Sequence, residues 1–105
     1  MTGFATEKGQ SLEQEFTRFK NVMGKVRAVR RLGSAALDLC YVAEGIFDGF
    51  WEMGLAPWDV SAAGLICQEA GVKITDIENQ KFSPFNHSFL AARGSLHRKL
   101  LDLFA

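Results

Sequence analysis

The sequence predicts an α/β domain, with helices flanking a mixed, largely parallel sheet. Two observations predict it. Segments with apolar residues at spacings of three and four recur along the chain, each bounded by a cap or a stop residue. Short β-branched or aromatic runs lie between them, so strand and helix alternate.

Ser11-Leu12-Glu13-Gln14 has the form of a capping box, with a Ser N-cap and Gln three residues on. Leu12, Phe16, Phe19, Met23 and Val26 then repeat at helical spacing, while Glu13, Glu15, Arg18 and Lys20 mostly take other faces. Gly24 ends this helix, and the alternating Val26-Arg27-Ala28-Val29-Arg30 predicts a short strand. Ser34 to Glu44 is apolar nearly all round, which predicts a buried helix closed by Gly45. Phe47 to Glu52 is short and aromatic-rich, hence a strand. Pro57 suits the first turn of a helix running to about Ala70, with Gly71 as its stop. Val72 to Ile77 alternates as a strand, Glu78 to Lys81 turns the chain, and Pro84 makes Phe82 to His87 a loop. Ser88 to Ala92 is the last strand, and Ser95 caps a helix with Leu96, Leu100, Leu103 and Phe104 on one side.

The 105 residues suffice for one domain with a hydrophobic core, spanning 1–105. Apolar residues make up 48%, too many for a disordered chain. Twelve basic residues balance twelve acidic ones, so nothing marks a nucleic-acid or membrane-surface binder. No apolar run approaches the roughly 20 residues of a membrane span, and the N-terminus lacks a signal-peptide core. Cys40 and Cys67 both fall in apolar helical patterns, which predicts buried thiols in a reduced, cytoplasmic protein and leaves a disulfide between them open.

Three features could carry chemistry. Gly33-Ser34-Ala35 opens a helix with small residues and bare backbone N–H groups, which suits an anion; taken alone, a capped start after a tight turn is the simpler explanation. Asp59 lies in the first turn of its helix, where the dipole favours acids by about 0.3–1 kcal/mol and where a carboxylate also suits a hard cation such as Mg2+. Glu52 ends a strand at the same predicted sheet edge, where open α/β sheets bind ligands. Trp58 is most simply a core or interface aromatic. His87 and His97 read as surface residues, Arg27, Arg30 and Arg31 as a solvated cluster, and Phe82, Phe85 and Phe89 as core plugs. Asp38 and Glu44 fall on the buried-looking helix and need partners there.

Pro57-Trp58-Asp59-Val60-Ser61-Ala62-Ala63-Gly64 resembles the W-D-x-x-A-[AG]-G signature of the inositol monophosphatase family, the Mg2+-dependent, lithium-sensitive sugar-phosphate phosphatases. Arg31-Leu32-Gly33-Ser34-Ala35-Ala36-Leu37-Asp38 and Asp48-Gly49-Phe50-Trp51-Glu52 fit the same family in order and spacing. The likeness runs from Thr2-Gly3-Phe4 to the last helix, with Ala5 standing where the family usually has Pro. It implies the C-terminal half of a layered sugar-phosphatase sandwich. Asp59 would ligate an active-site Mg2+, Gly33, Ser34 and Ala35 would surround the substrate, and Glu52 would hydrogen-bond its hydroxyls.

The family's other metal ligands belong to a Glu-containing motif and an Asp-Pro-x-Asp-Gly-Thr motif, and neither occurs in these residues. A two-metal in-line displacement needs more than one carboxylate. The resemblance therefore implies a substrate- and metal-site domain for a sugar or inositol monophosphate, inactive or nearly so alone, that meets a missing N-terminal half or a second copy. The family commonly dimerises. A non-catalytic binding or assembly module of the same fold, and part of a related bisphosphate or nucleotide phosphatase, are the alternatives.

Overall fold

The structure is a computed structural model that describes residues 1–2 and 10–104. Its elements are α1 (Gln10–Met23), α2 (Ala35–Glu44), β1 (Gly49–Met53), α3 (Pro57–Glu69), β2 (Lys73–Thr75), β3 (Ser88–Ala92) and α4 (Gly94–Phe104). The three strands lie in the order β1-β3-β2. Helices α2 and α3 cover one face of the sheet, and α1 and α4 the other.

Strand alternation builds both layers of core. Phe50, Phe89, Ala91 and Ile74 point to one side, where they pack with Leu39, Val42, Val60, Ala63 and Cys67. Trp51, Met53, Leu90 and Ala92 point to the other, against Val22, Leu100 and Leu101. Every residue of β3 is buried, as expected of a central strand covered on both faces. The Trp51 ring sits between Phe104, 5.8 Å away, and Phe19, 6.4 Å away.

The α/β layering agrees with the sequence reading, but the largely parallel sheet does not. Both strand pairings are antiparallel, with Trp51 and Thr75 each opposite Leu90. The α3 crossover does join two strands that run the same way, β1 and β2, yet β3 is inserted between them. No helix separates β2 from β3. Instead Asp76 Oδ1 accepts from the backbone N–H groups of Glu78 and Gln80, each at 2.8 Å, and reverses the chain. Among the described residues, parallel pairing is confined to one bridge, Thr2 to Trp51, on the outer edge of β1.

Other expectations are corrected as well. Val26 to Arg30 forms no strand; its backbone offers the Arg30 carbonyl to Thr2 N–H at 3.1 Å and runs on irregularly. Helix α1 begins at Gln10, so Ser11 lies inside the first turn, and the side-chain bond of its capping box falls outside the described residues. The stripe that α1 buries is rotated from the predicted one: Glu15 and Val22 are buried, while Phe16 and Met23 are exposed. Helix α4 starts at Gly94, placing Ser95 within it. Leu37 is exposed on α2, Glu44 is exposed at its end, and Phe85 is 77% exposed while Phe82 and Phe89 pack together. His97 is buried, its Nε2 2.8 Å from Thr75 Oγ1, whereas His87 is exposed as expected. Gly64 is a site of close approach: a Cβ there would stand 2.2 Å from the Phe82 ring.

Candidate functional site

Local sequence sets the two helix starts that frame the site. Gly33 takes φ +88°, a left-handed conformation open to glycine, and turns the chain into α2. Ser34 is the N-cap, its hydroxyl accepting from Leu37 N–H at 3.3 Å. At α3 the N-cap is Ala56, which has no side-chain acceptor, and Pro57 follows. Asp59 compensates by reaching back: its Oδ2 accepts from Ala56 N–H at 3.0 Å. One carboxylate oxygen of Asp59 therefore serves the helix start through a cap bond, in addition to the dipole's preference for an acid there. Trp58 beside it is 83% exposed and is no core residue.

Contacts along the two helices place these starts together. Cys67 Sγ lies 3.3 Å from the Leu39 carbonyl. Farther along, Arg93 donates to Val42 and Ala43 of α2, at 3.0 and 2.7 Å, and to Ala70 at the end of α3, at 3.3 Å. The helices thus run side by side in the same direction. At 1.5 Å per residue, Asp59 stands about 12 Å before the Cys67 level and Ala35 about 6 Å before the Leu39 level. The first turn of α3 is then level with the Arg31–Ser34 approach to α2. Both helices therefore start at the same end of the pair, α3 reaching farther, and their positive dipole ends lie on that side.

Glu52, next to last in β1, joins this place. It is buried, with only 8% of its surface exposed. Burial is the main reason its carboxyl is pushed up to about 7; Asp38, Glu15 and Asp59 raise it further, and Arg31 pulls it down. Those four neighbours come from α1, α2, α3 and the loop before α2. Asp38 itself is almost wholly buried, its Oδ1 has no hydrogen-bond partner among the described residues, and burial lifts its carboxyl against the pull of the Met1 amino group. The structure therefore brings Gly33, Ser34, Ala35, Glu52 and Asp59 to one end of the α2–α3 pair. It adds two acids whose part the sequence reading did not see. Asp38 was noted only as needing a partner. Glu15 was placed on a solvent face, although its spacing of four to Phe19 and seven to Val22 could have shown otherwise.

Mg2+ takes about six hard oxygen ligands, so carboxylates are the right donors. Among the described residues, however, no three His, Cys, Asp or Glu side chains are grouped to hold a metal ion. Asp59 has one oxygen committed to the helix cap, and Glu52 and Asp38 both favour the protonated form more than ordinary acids do. These residues supply a ligand, and by themselves they do not make a metal centre.

The fold is a layered α/β domain with an acid near the end of its first strand, and the family follows from comparison. The chain belongs to the inositol monophosphatase family, whose model matches residues 1–105. It is 44% identical over 105 residues to the chloroplastic phosphatase IMPL1 of Arabidopsis thaliana, covering all of this chain and 28% of that protein. It is 49% identical over 82 residues to an inositol-1-monophosphatase of Mesorhizobium japonicum, covering 78% of this chain and 31% of that one. Among solved structures, the extragenic suppressor protein suhB of Bartonella henselae superposes with a TM-score of 0.89 at 37% identity, over 98% of this chain and 39% of that chain. The chain thus spans roughly a third of the length of these relatives. No helix among the described residues is long and apolar enough to cross a membrane.

Proposed function

We propose that this chain is the substrate-recognition part of an inositol-monophosphatase-like, Mg2+-dependent phosphomonoesterase, and that it supplies one metal ligand, Asp59. The observation that supports the reading is that Asp38 of α2, Asp59 of α3 and Arg31 all act on the buried Glu52. In this reading the backbone N–H groups around Gly33, Ser34 and Ala35 hold an anionic substrate, as helix starts do. Glu52, poised near neutrality, exchanges hydrogen bonds with the hydroxyls of a sugar or inositol monophosphate. The free oxygen of Asp59 takes one position on Mg2+ and its other oxygen stays fixed by Ala56 N–H, which sets the direction of the ligand. The ion would polarise the phosphoryl group and activate water. Its remaining ligands would come from the two acidic motifs that these residues lack.

The test is phosphate release from inositol 1-phosphate in Mg2+. The 105-residue chain alone is expected to show none, and a fusion to a polypeptide bearing the two acidic motifs is expected to show turnover that Asp59→Asn abolishes. Mg2+-dependent turnover by the chain alone, lost in Asp59→Asn, would overturn the reading. So would full activity of the fused Asp59→Asn protein. The exposure of Trp58 and Phe85 favours a second use of the same fold, as an assembly surface.

A further inference from the structure

Cys40 and Cys67 stand on the two helices that frame the site, and neither takes part in it. Cys67 is fully buried on α3, and its Sγ lies 3.3 Å from the carbonyl oxygen of Leu39, the residue that precedes Cys40 on α2. Across a trans peptide, that oxygen is about 2.8 Å from the next Cα. The sulfur is therefore no more than about 6 Å from the Cys40 Cα. The helices are held near this level: Ala63 and Cys67 are buried on α3 in the cluster that includes Leu39 and Val42 of α2, and Arg93 clamps the last turns of both. Disulfides accept Cα separations of about 4.4–6.8 Å, and Cys40 packs against the core cluster that holds Cys67. Both thiols are free, and Cys40 is partly exposed.

We infer that Cys40 and Cys67 form a redox modification site, closed into an intrachain disulfide by a low-molecular-weight disulfide such as oxidised glutathione. The accessible Cys40 thiolate attacks a sulfur of oxidised glutathione, forming a Cys40–glutathione mixed disulfide and expelling one glutathione thiolate. Cys67 then attacks the Cys40 sulfur, the Cys67–Cys40 bond forms, and the second glutathione thiolate leaves with the proton that Cys67 gives up. Two protein thiols are oxidised and one glutathione disulfide is reduced to two thiols. The order follows from environment: burial, then the nearby Cys40, pushes the Cys67 thiol up to about 11, so it waits protonated as the resolving partner. The link would join α2 to α3 about two turns below Ser34 and Asp59, bracing the cradle without entering it.

The experiment equilibrates the purified chain with glutathione redox buffers, quenches with acid, alkylates, and reads intact mass and peptide maps, in native buffer and in urea. The expected product is a monomer two hydrogens lighter that carries a Cys40–Cys67 linked peptide. It should form at a redox ratio at least about tenfold more reducing in native buffer than in urea, because a bond that fits the fold is favoured by the fold. Cys67→Ser should stop at a Cys40–glutathione adduct, and Cys40→Ser should gain no link. If the Cys67→Ser chain fails to fold, the native-against-urea comparison on the unaltered chain still decides. Both thiols alkylated after oxidation, an adduct without a link, a dimer through cysteine, or equal closure in urea would each overturn the inference.

Discussion

Glu52 shows how one residue couples stability to function. Its folded carboxyl is pushed up to about 7 from 4.5, chiefly by burial. Below pH 4.5 it is protonated in both folded and unfolded chains. Between 4.5 and 7 the folded chain holds a proton that the unfolded chain releases, so this residue's contribution to stability falls as pH rises through that window. Glu52→Gln removes the titration and keeps the shape. The Tm of the variant relative to the parent should therefore grow between pH 5 and pH 8, by about 2–3 kcal/mol or roughly 10–20 °C in magnesium-free buffer. A difference that stays constant with pH would show that Glu52 does not titrate there. His97 works in the opposite sense, since burial lowers its pKa and acid favours the unfolded chain, so the comparison must be made between variants at each pH. Asp59, Ser34 and Glu52 were legible as site candidates because cap positions and strand ends are local signals. The burial of Glu15 and His97 was not. Each sits on an amphipathic helix whose apolar side can be drawn in more than one rotation, and only the packing partner fixes the choice.

At the scale of elements, the alignment of α2 and α3 depends on Arg93. The guanidinium serves carbonyls at the ends of both helices, at Val42, Ala43 and Ala70, where the dipoles favour positive charge. Arg93→Ala should cost about 1–2 kcal/mol, seen as a lower urea midpoint at unchanged slope, because three carbonyls lose a charged donor. Arg93→Lys should recover less than half, since an ammonium lacks the fork that spans two helices. A loss below about 0.3 kcal/mol in the alanine variant would show that solvent replaces the clamp. Helix boundaries read from sequence held closely for α2 and α3, where Ser34, Gly45, Pro57 and Gly71 mark the ends. The stretch Val26 to Arg30 misled because alternation creates a potential strand, while among the described residues it forms no ladder and only the Arg30 carbonyl, on Thr2 N–H, bonds toward the sheet. Its valines are half-buried all the same, so the alternation reported burial correctly and pairing wrongly.

For the whole molecule, β3 is the strand that unites the sheet. Strand β1 is bonded to it along five register pairs and β2 along three, while β1 and β2 do not meet. A chain ending at His87 keeps α2, β1, α3 and β2 intact in sequence but loses the strand that fills both core layers with Phe89 and Leu90. That truncation should show no cooperative thermal transition by circular dichroism, whereas the complete chain should show one. A sharp transition in the truncated form would mean that the α2–α3 layer folds independently. The alternation of helix and strand made the α/β class readable, and the family signature placed the chain in its lineage. Strand order could not be read locally, because insertion of a late strand between two earlier ones leaves no mark in either.

The placement of β3 bears on how this polypeptide matures on the ribosome. The segments that carry Ser34, Glu52 and Asp59 emerge well before Ser88, yet the seam that holds them together is synthesised only after all of them. Until Ala92 clears the exit tunnel, two strand edges wait unzipped in the nascent chain, open to the wrong neighbour. Translation speed over the codons for Ser88 to Ala92 thus becomes a determinant of yield, and slow codons there would favour aggregation over assembly.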